Sequence, residues 1–440
     1  MTIADLSSVN AYIPGQVGLD AHEARMIEQR DRLLGPAYRL MYQKPLHFVR
    51  GEGVWLYDSD GRRYLDTYNN VVSLGHCHPD VVEAITRQVA TLCTNTRYLH
   101  ETILELADGL LSTVSGDLSH MMLTCSGSEA NDLAYRIAKV RTGGTGIIIT
   151  ETAYHGITDA VSQFSPTLGP AVPLGTHVRT VAAPAAYRSG PNVAERFTRD
   201  VEAAIADLKR HGIQPAMLIV DSIFTSDGIL PEEPGFLTGA VEAIHNAGGI
   251  FVADEVQPGF GRTGSHMWGF QRHGVEPDIV TLGKPMGNGQ PIAGLLTRHD
   301  VVEKFGNSSR YFNTFAGNAV SCAAAAAVLK VIKRDGILDN ARDVGAYLLG
   351  QVDALRSRHE CLGHVRGAGL FVAADIVTDH RSQANDRVRA TRVVNAMRDN
   401  GVLISACGAD HNILKIRPPL IFSRDNVDLF VDVLDKALEA

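Results

Sequence analysis

Residues 248–294 read GGIFVADEVQPGFGRTGSHMWGFQRHGVEPDIVTLGKPMGNGQPIAG and decide the fold. They contain two short apolar runs, IFVA and IVTL. The first run ends at Asp254, and the second ends two residues before Lys284. Such runs are typical of buried parallel strands, whose carboxyl ends carry the ligands in α/β folds. The stretch therefore predicts an α/β fold with Asp254 and Lys284 at the ends of two neighbouring strands.

Lys284 is the candidate for the chemistry. A lysine after a buried strand is unusual, because burying an ammonium group is costly and normally lowers its pKa. It is either a solvated loop lysine or a Schiff-base lysine, whose amine must be partly neutral to attack a carbonyl. Asp254 favours the second interpretation, since a pyridoxal cofactor needs a lysine for its aldehyde and a carboxylate for its pyridinium nitrogen.

The runs DEVQPGFGRTG at 254–264 and LGKPMGNG at 282–289 resemble the signature of the class III aminotransferases, a branch of the fold-type I pyridoxal 5′-phosphate (PLP) enzymes. The likeness extends from about residue 36 to residue 434. It implies that Lys284 and Asp254 are catalytic and that Gln257 lies near the cofactor's ring hydroxyl. It also implies an aspartate aminotransferase-like fold, with a large domain built on a mostly parallel sheet and a smaller α+β domain.

A competing motif lies inside the same stretch. Gly259–Gly264 matches G-x-G-x-x-G and follows a predicted strand, as a dinucleotide-binding loop would. Pro258 interrupts the junction, however, and no helical pattern of apolar residues begins at the third glycine. The nicotinamide interpretation is therefore disfavoured.

Composition excludes several classes of protein. The 440 residues include 41 Lys and Arg against 49 Asp and Glu, a net charge of −8, and no basic block suggests nucleic acid or an anionic membrane. The six cysteines show no C-x-x-C spacing, and His76 and His78 lack further ligands, so no metal site is predicted. No signal peptide and no apolar run long enough to cross a bilayer is seen, which predicts a soluble, cytoplasmic protein.

Domain organisation follows from the changing periodicity. Residues 1–70 are predicted to form an N-terminal arm and a β-meander that joins the small domain. Residues 71–318 are predicted to form the large PLP-binding domain, and 319–440 the rest of the small domain. Residues 160–200 are rich in Pro and Gly, which predicts a long surface excursion before a helix at Val201–His211.

A candidate phosphate site precedes the helix predicted at Glu129–Thr142. An apolar strand runs there into Ser126, Gly127 and Ser128, and small residues at a helix N-terminus leave N–H groups free for phosphate. The alternative is a simple N-cap with Glu129 near the positive end of the helix dipole. Because Lys284 follows downstream in the right order, Gly127 and Ser128 are assigned to the cofactor phosphate, and Ser126 is counted with them as cofactor-binding.

The resemblance supplies four more cofactor residues. It implies that Tyr154 stacks on the pyridine ring with His155 beside it, and that Asp221 keeps an acidic role near the ring oxygen. Asp221 begins the run DSIFTSDG, which replaces the family's commoner E-P-I/V-Q-G. Thr314 corresponds to a threonine that donates to the phosphate of the neighbouring subunit, although an N-cap role is also available. The resemblance thus implies a homodimer with shared active sites and leaves open whether dimers pair into tetramers.

The substrate side departs from typical ω-aminotransferases. Ile157 and Lys415 occupy positions where many relatives have carboxylate-binding arginines, and Asn69 stands where others have an aromatic residue. Arg97 and Arg417 are further candidates to contact an anionic substrate, because phosphate needs cationic donors.

Several runs, among them YNNV, GHCHP, NTRYLH and CSGSEANDLA, resemble the ethanolamine-phosphate phospholyases more than typical ω-aminotransferases. This resemblance implies a lyase that converts 2-aminoethyl phosphate to acetaldehyde, ammonia and phosphate. The alternative is an ω-aminotransferase that passes the amino group of an amine or ω-amino acid to a keto acid. A non-catalytic protein of the same fold is disfavoured, because Lys284, Asp254 and the phosphate loop are all present.

Overall fold

Helices and strands cover most of residues 10–439, the part of the chain that the computed structural model describes. The helices are α1 (Ala21–Leu34), α2 (Pro79–Thr91), α3 (Glu101–Leu111), α4 (Gly127–Thr142), α5 (Asp159–Ser162), α6 (Ala186–Ser189), α7 (Val193–Arg210), α8 (Thr238–Asn246), α9 (His299–Ser308), α10 (Ala319–Arg334), α11 (Ile337–Ala354), α12 (Arg387–Asp399) and α13 (Arg424–Leu438). The strands are β1 (Phe48–Glu52), β2 (Trp55–Asp58), β3 (Arg63–Asp66), β4 (Leu118–Thr124), β5 (Gly146–Thr150), β6 (Val178–Val181), β7 (Pro215–Asp221), β8 (Ile250–Asp254), β9 (Ile279–Leu282), β10 (Ala293–Arg298), β11 (Leu362–Ala368), β12 (Phe371–Ile376), β13 (Val402–Leu403), β14 (Ser405–Cys407) and β15 (Ile413–Ile416).

A seven-stranded sheet with the order β4-β10-β9-β8-β7-β5-β6 forms the centre of the fold. Strand β10 runs in the opposite direction to the other six strands of this sheet. Within the seven-stranded sheet, β5, β8 and β9 are buried along their whole length, as strands covered by helices on both faces must be. The predicted α/β fold with a mostly parallel sheet is confirmed. Asp221 pairs in register with Asp254, so both acidic side chains lie at the carboxyl edge of this sheet.

Two four-stranded sheets are built from the ends of the chain. The predicted meander forms β1, β2 and β3, and β13 from the C-terminal part joins β3 in parallel. The other sheet has the order β11-β12-β15-β14 and is antiparallel. The pairing of β3 with β13 agrees with a meander that belongs to the smaller unit. The domain boundaries at residues 70 and 318 stay predictions, and residues 1–9 of the arm lie outside the described residues.

The interpretation of residues 160–200 as a surface excursion is wrong in two places. The four residues of β6 form the edge of the central sheet in parallel with β5, and so short a run carries little periodicity of its own. Helix α7 begins at Val193, eight residues before the predicted start at Val201. Val193 and Phe197 extend its apolar face by two turns into the core, so tertiary packing decides where this helix begins.

Two predictions of absence concern membranes and metals. Among residues 10–439 no helix combines the length and apolarity that a bilayer crossing requires. In the same part of the chain no three His, Cys, Asp or Glu side chains converge as a metal-ligand set. His76 Nε2 lies 2.8 Å from Asp66 Oδ2, which gives this histidine a partner within the fold. The cytoplasmic location and the absence of a metal stay predictions.

Candidate active site

A pocket at the carboxyl edge of the central sheet brings together most of the predicted cofactor residues. It encloses about 450 Å³ of space, part of it open to solvent. The residues that line it come from the ends of β7 and β8, the start of α4, the segment after β5 and the turn after β9. They are Gly127, Ser128, Asn131, Tyr154, His155, Gly156, Asp221, Asp254, Val256, Gln257 and Lys284.

Asp254 lies at the base of the pocket and is 5% exposed. Its Oδ2 accepts a hydrogen bond from Asn131 Nδ2 at 2.9 Å and lies 2.7 Å from His155 Nδ1. Its Oδ1 accepts the backbone N–H of Val256 at 3.1 Å. These three contacts fix the orientation of the carboxylate, as the bonding partners of a site residue generally do. Asn131 was not identified from the sequence as a site residue.

Lys284 begins a 3₁₀ turn directly after β9 and faces the pocket. Burial lowers the pKa of its amine, and the positive charge of Arg417 lowers that pKa further. Asp254 and Asp221 act in the opposite direction. A lowered pKa raises the fraction of neutral amine, which a lysine needs if it is to bond an aldehyde.

The N-terminus of α4 forms one wall of the pocket. Ser126 is the N-cap residue and shares a capping box with Glu129, whose N–H donates to Ser126 Oγ at 3.3 Å. Ser126 is exposed and is not among the residues that line the pocket, so the structure gives it the N-cap role. Gly127 and Ser128 do line it, and among the described residues no acceptor lies within hydrogen-bond distance of their backbone N–H groups.

Gly156 closes the other side of this wall. Its φ of 141° lies in the region that favours glycine, and a Cβ atom there would lie 2.7 Å from Ser128 Cα. Gly156 therefore packs directly against the start of α4, where the two free N–H groups belong to residues that line the pocket. Free N–H donors at a helix N-terminus suit a phosphate group.

Asp221 ends β7 on the same side of the sheet as Asp254. Its carboxylate accepts the backbone N–H groups of Ile223 at 3.1 Å and Thr225 at 3.3 Å. Burial raises the pKa of Asp221 to about 6 and the charge of Asp254 raises it as well, while hydrogen bonding from Thr225 and Ile223 lowers it. A carboxyl group that titrates near neutral pH can exchange a proton with a group in the pocket.

Arg417 is held in a buried network beside the pocket. Its Nη1 donates to Gln257 Oε1 at 2.9 Å and to Asn70 Oδ1 at 3.0 Å, and its guanidinium lies 4.9 Å from the centre of the Tyr68 ring. Sequence reasoning made Arg417 a candidate to contact the substrate, and this stays a prediction; within the described residues its guanidinium holds Gln257. Sequence reasoning also selected Asn69, whose side chain caps the N–H of Val71 in a turn. The neighbouring Asn70 is the residue that joins the network.

Lys415 is 8% exposed on β15, and among the described residues it has no hydrogen-bond or ion-pair partner. Burial lowers the pKa of its amine to about 7, and the charges of Arg417 and Lys284 add to this effect. Asp221 opposes the shift. Lys415 is not among the residues that line the pocket, but the charges of Lys284 and Asp221 act on its amine.

Three further predicted residues are exposed, and two of them lie away from this pocket. Arg97 is exposed, and its guanidinium lies 3.7 Å from the centre of the Phe312 ring. Thr314 is exposed as well. Tyr154 lines the pocket and is 37% exposed, so its side chain is partly accessible. Within this single chain, Arg97 and Thr314 do not reach the site.

Comparison with known proteins agrees with this geometry. Residues 39–438 match the family described as aminotransferase class-III. The chain belongs to the class III aminotransferase family. A relative in Drosophila melanogaster, named alanine–glyoxylate aminotransferase 2-like, is 38% identical over 92% of this chain and 85% of its own length. Ethanolamine-phosphate phospho-lyase homolog 1 of Caenorhabditis elegans is 34% identical over 94% of this chain and 93% of its own.

A solved structure shares nearly the whole fold. It is a phospholyase from Arthrobacter in complex with phosphoethanolamine, 40% identical, with a TM-score of 0.91 over 94% of this chain and 99% of that one. Membership of the family makes pyridoxal phosphate the cofactor. The pocket fits this group, because it offers the amine of Lys284, the buried carboxylate of Asp254 and free N–H donors at the start of α4. Lys284 would bond the aldehyde, Asp254 would face the ring nitrogen, and Gly127 with Ser128 would hold the phosphate.

Proposed function

We propose that this protein is a PLP-dependent phospholyase that converts 2-aminoethyl phosphate and water to acetaldehyde, ammonia and phosphate. The observation that carries this proposal is the surplus of positive charge around Lys415. The charges of Arg417 and Lys284 both lower the pKa of the Lys415 amine and Asp221 opposes them, whereas the carboxylate of Asp254 already has its own donors. A buried ammonium without a partner is costly, so an anionic group of the substrate would stabilise it.

The relatives support the same substrate class. The Arthrobacter phospholyase was solved with phosphoethanolamine, and the Caenorhabditis elegans relative carries the name of a phospho-lyase homolog. A second candidate is an ω-aminotransferase with a keto-acid acceptor. It is favoured by the Drosophila melanogaster relative, whose name is that of an aminotransferase. The two candidates share the cofactor and differ in whether a carbon–oxygen bond breaks.

The residues of the pocket divide the work of the proposed reaction. Bound pyridoxal phosphate supplies an electron sink for the carbon next to the substrate nitrogen. The free amine of Lys284 would take a proton from that carbon. The electron pair then expels phosphate from the neighbouring carbon, and Lys415 balances the charge of the leaving group. Asp254 would hold the proton on the ring nitrogen, and water releases ammonia from the remaining two-carbon unit.

The experiment is a single-turnover measurement without keto acid. Purified enzyme is mixed with 2-aminoethyl phosphate while phosphate, acetaldehyde and the cofactor spectrum are followed. Release of phosphate and acetaldehyde, with the starting spectrum regained, supports the lyase. Conversion of the cofactor to its amine form without phosphate release, reversed by pyruvate, would refute the lyase and favour the aminotransferase. Protein in which no PLP-dependent absorbance appears would overturn the cofactor assignment itself.

We also propose a homodimer in which Thr314 contacts the cofactor phosphate of the partner subunit. Thr314 is exposed, and the adjacent Phe315 is 73% exposed. Leu99 is 100% exposed and lies two residues after Arg97, whose guanidinium is over the ring of Phe312. Such a patch is typical of an interface between subunits.

Mixing two inactive variants tests the shared site. Lys284→Ala removes the amine from one chain, and Thr314→Ala removes the donor from the other. In a mixed dimer, one site has Lys284 from the second chain and Thr314 from the first, so activity should return. If each threonine served its own chain, no site would be complete and the mixture would stay inactive.

A further inference from the structure

The loop after β7 adopts a costly backbone conformation. Residues 222–230, called here the 222–230 loop, contain Phe224 with φ of 52° and Ile229 with φ of 58°. Left-handed φ is unfavourable for any residue with a Cβ and especially for a β-branched one. Such conformations persist only where surrounding contacts hold them, and they cluster at functional sites. The loop begins next to Asp221, at the edge of the pocket.

Arg366, from the C-terminal sheet, is one of the residues that hold this loop. Its Nε donates to the carbonyl of Ile229 at 2.8 Å, and its Nη2 donates to the carbonyl of Gly228 at 2.6 Å. Its Nη1 pairs with Asp375 at 2.7 Å. Arg366 and Asp375 are 6% and 2% exposed, so this is a buried ion pair aimed at the loop backbone.

Asp227 connects the same loop to the segment after β5. Its Oδ2 accepts the hydroxyl of Thr150 at 2.8 Å, and its Oδ1 accepts the backbone N–H of Thr152 at 3.3 Å and the hydroxyl of Thr152. Tyr154 and His155 follow two and three residues after Thr152. The carboxylate of Asp227 therefore holds the start of the segment that brings both side chains to the pocket.

We propose that Asp227 and Arg366 are positioning residues for the cofactor ring. Arg366 sets the conformation of the 222–230 loop, and Asp227 transfers that conformation to the segment that carries Tyr154 and His155. His155 in turn lies 2.7 Å from Asp254. The C-terminal sheet thus helps to place groups that face the cofactor without touching it. This inference rests on the cofactor and holds for a lyase or an aminotransferase alike.

The test compares cofactor binding with folding in the full-length protein. Asp227→Ala removes every contact of the carboxylate, and Thr150→Val removes one hydroxyl with little change of shape. Asp227→Asn keeps an acceptor for the N–H of Thr152 and should rescue binding. The matched control is Asp278→Asn. Asp278 is buried, accepts Phe251 N–H at 2.8 Å and lies at the opposite edge of the sheet, whereas Asp227 is half-buried.

Three quantities are measured: the Kd for PLP by equilibrium dialysis, the induced circular dichroism of the bound cofactor, and the Tm of the apoprotein. Asp227→Ala should raise the Kd about tenfold, as expected for a loss of about 1.4 kcal/mol. Thr150→Val should act in the same direction, and both should weaken the dichroism. Asp278→Asn should lower Tm and leave Kd and dichroism as in the parent.

The coupling between Arg366 and Asp227 is tested with the variant Arg366→Met. Because Arg366 acts through Asp227, the double variant with Asp227→Ala should bind PLP no more weakly than the weaker single variant. The proposal is overturned if Thr150→Val and Asp227→Ala bind PLP with the parent's Kd and dichroism. It is equally overturned if Asp278→Asn weakens PLP binding as much as they do. Thr150→Val keeps the test decisive should Asp227→Ala fail to fold.

Discussion

Replacing Asn131 by alanine should loosen the cofactor as well as destabilise the fold. Asn131 is 1% exposed, and its amide donates to Asp254 at 2.9 Å and to the carbonyl of His155 at 2.7 Å. A hydrogen bond to a charged group contributes about 1.5–3 kcal/mol, and leaving a buried carbonyl unpaired costs about 1–3 kcal/mol. We expect the free energy of unfolding to fall by about 2–4 kcal/mol.

The effect on the cofactor follows from Asp254. Without Asn131, the carboxylate is held by His155 and Val256 only, so its orientation toward the ring is less restricted. If the looser carboxylate lowers the binding free energy of PLP by about 1.4 kcal/mol, the Kd for PLP rises about tenfold. Urea unfolding of the apoprotein measures the free energy of unfolding, and equilibrium dialysis measures the Kd for PLP.

Asn412→Ala is the matched control. Asn412 is also 1% exposed and donates two hydrogen bonds, to the carbonyl of Ile376 at 2.8 Å and to Asn385 at 3.1 Å, but it does not line the pocket. It should destabilise the protein and leave the Kd for PLP unchanged. An unchanged Kd in Asn131→Ala, or an equal loss of affinity in Asn412→Ala, would refute the reasoning.

Three further predictions concern charged groups of the site. Lys284→Ala should abolish turnover and the borohydride-reducible bond to PLP, as mass spectrometry will show; a retained covalent adduct would point to another lysine. Lys415→Met should raise KM for 2-aminoethyl phosphate about tenfold or more, because a charge-assisted contact of about 1.5–3 kcal/mol is lost. The same variant should have little effect on the binding of an unphosphorylated amine. Equal losses for both amines would contradict a contact between Lys415 and the phosphate. Burial raises the pKa of Asp221 to about 6, so the folded protein binds a proton that the unfolded chain releases near pH 4. The stabilisation from this proton is complete below about pH 4 and is lost as pH rises to about 6. Urea titrations should show a weaker pH dependence in Asp221→Asn than in the parent, and parallel curves would argue against the raised pKa.

The local pattern of the sequence was enough to predict the strands at the centre of the fold. Short apolar runs that end on charged residues predicted β8 and β9, because a strand buried on both faces must be apolar along its length. The same pattern placed Asp254 and Lys284 at one edge of the sheet, and the long motif around them predicted the family. Residues next to one another in the chain carry this information.

Tertiary structure decided the partners of those residues. Asn131 bonds a carboxylate 123 positions away, and Arg417 bonds Asn70 across 347 positions, so no local pattern reports either contact. Asn69 and Asn70 are chemically identical, and only the turn at Asp66 determines which of them faces Arg417. The sequence by itself determined which groups carry the chemistry. Long-range packing determined which groups orient them, because a hydrogen bond depends on a distance in space and not on a position in the chain.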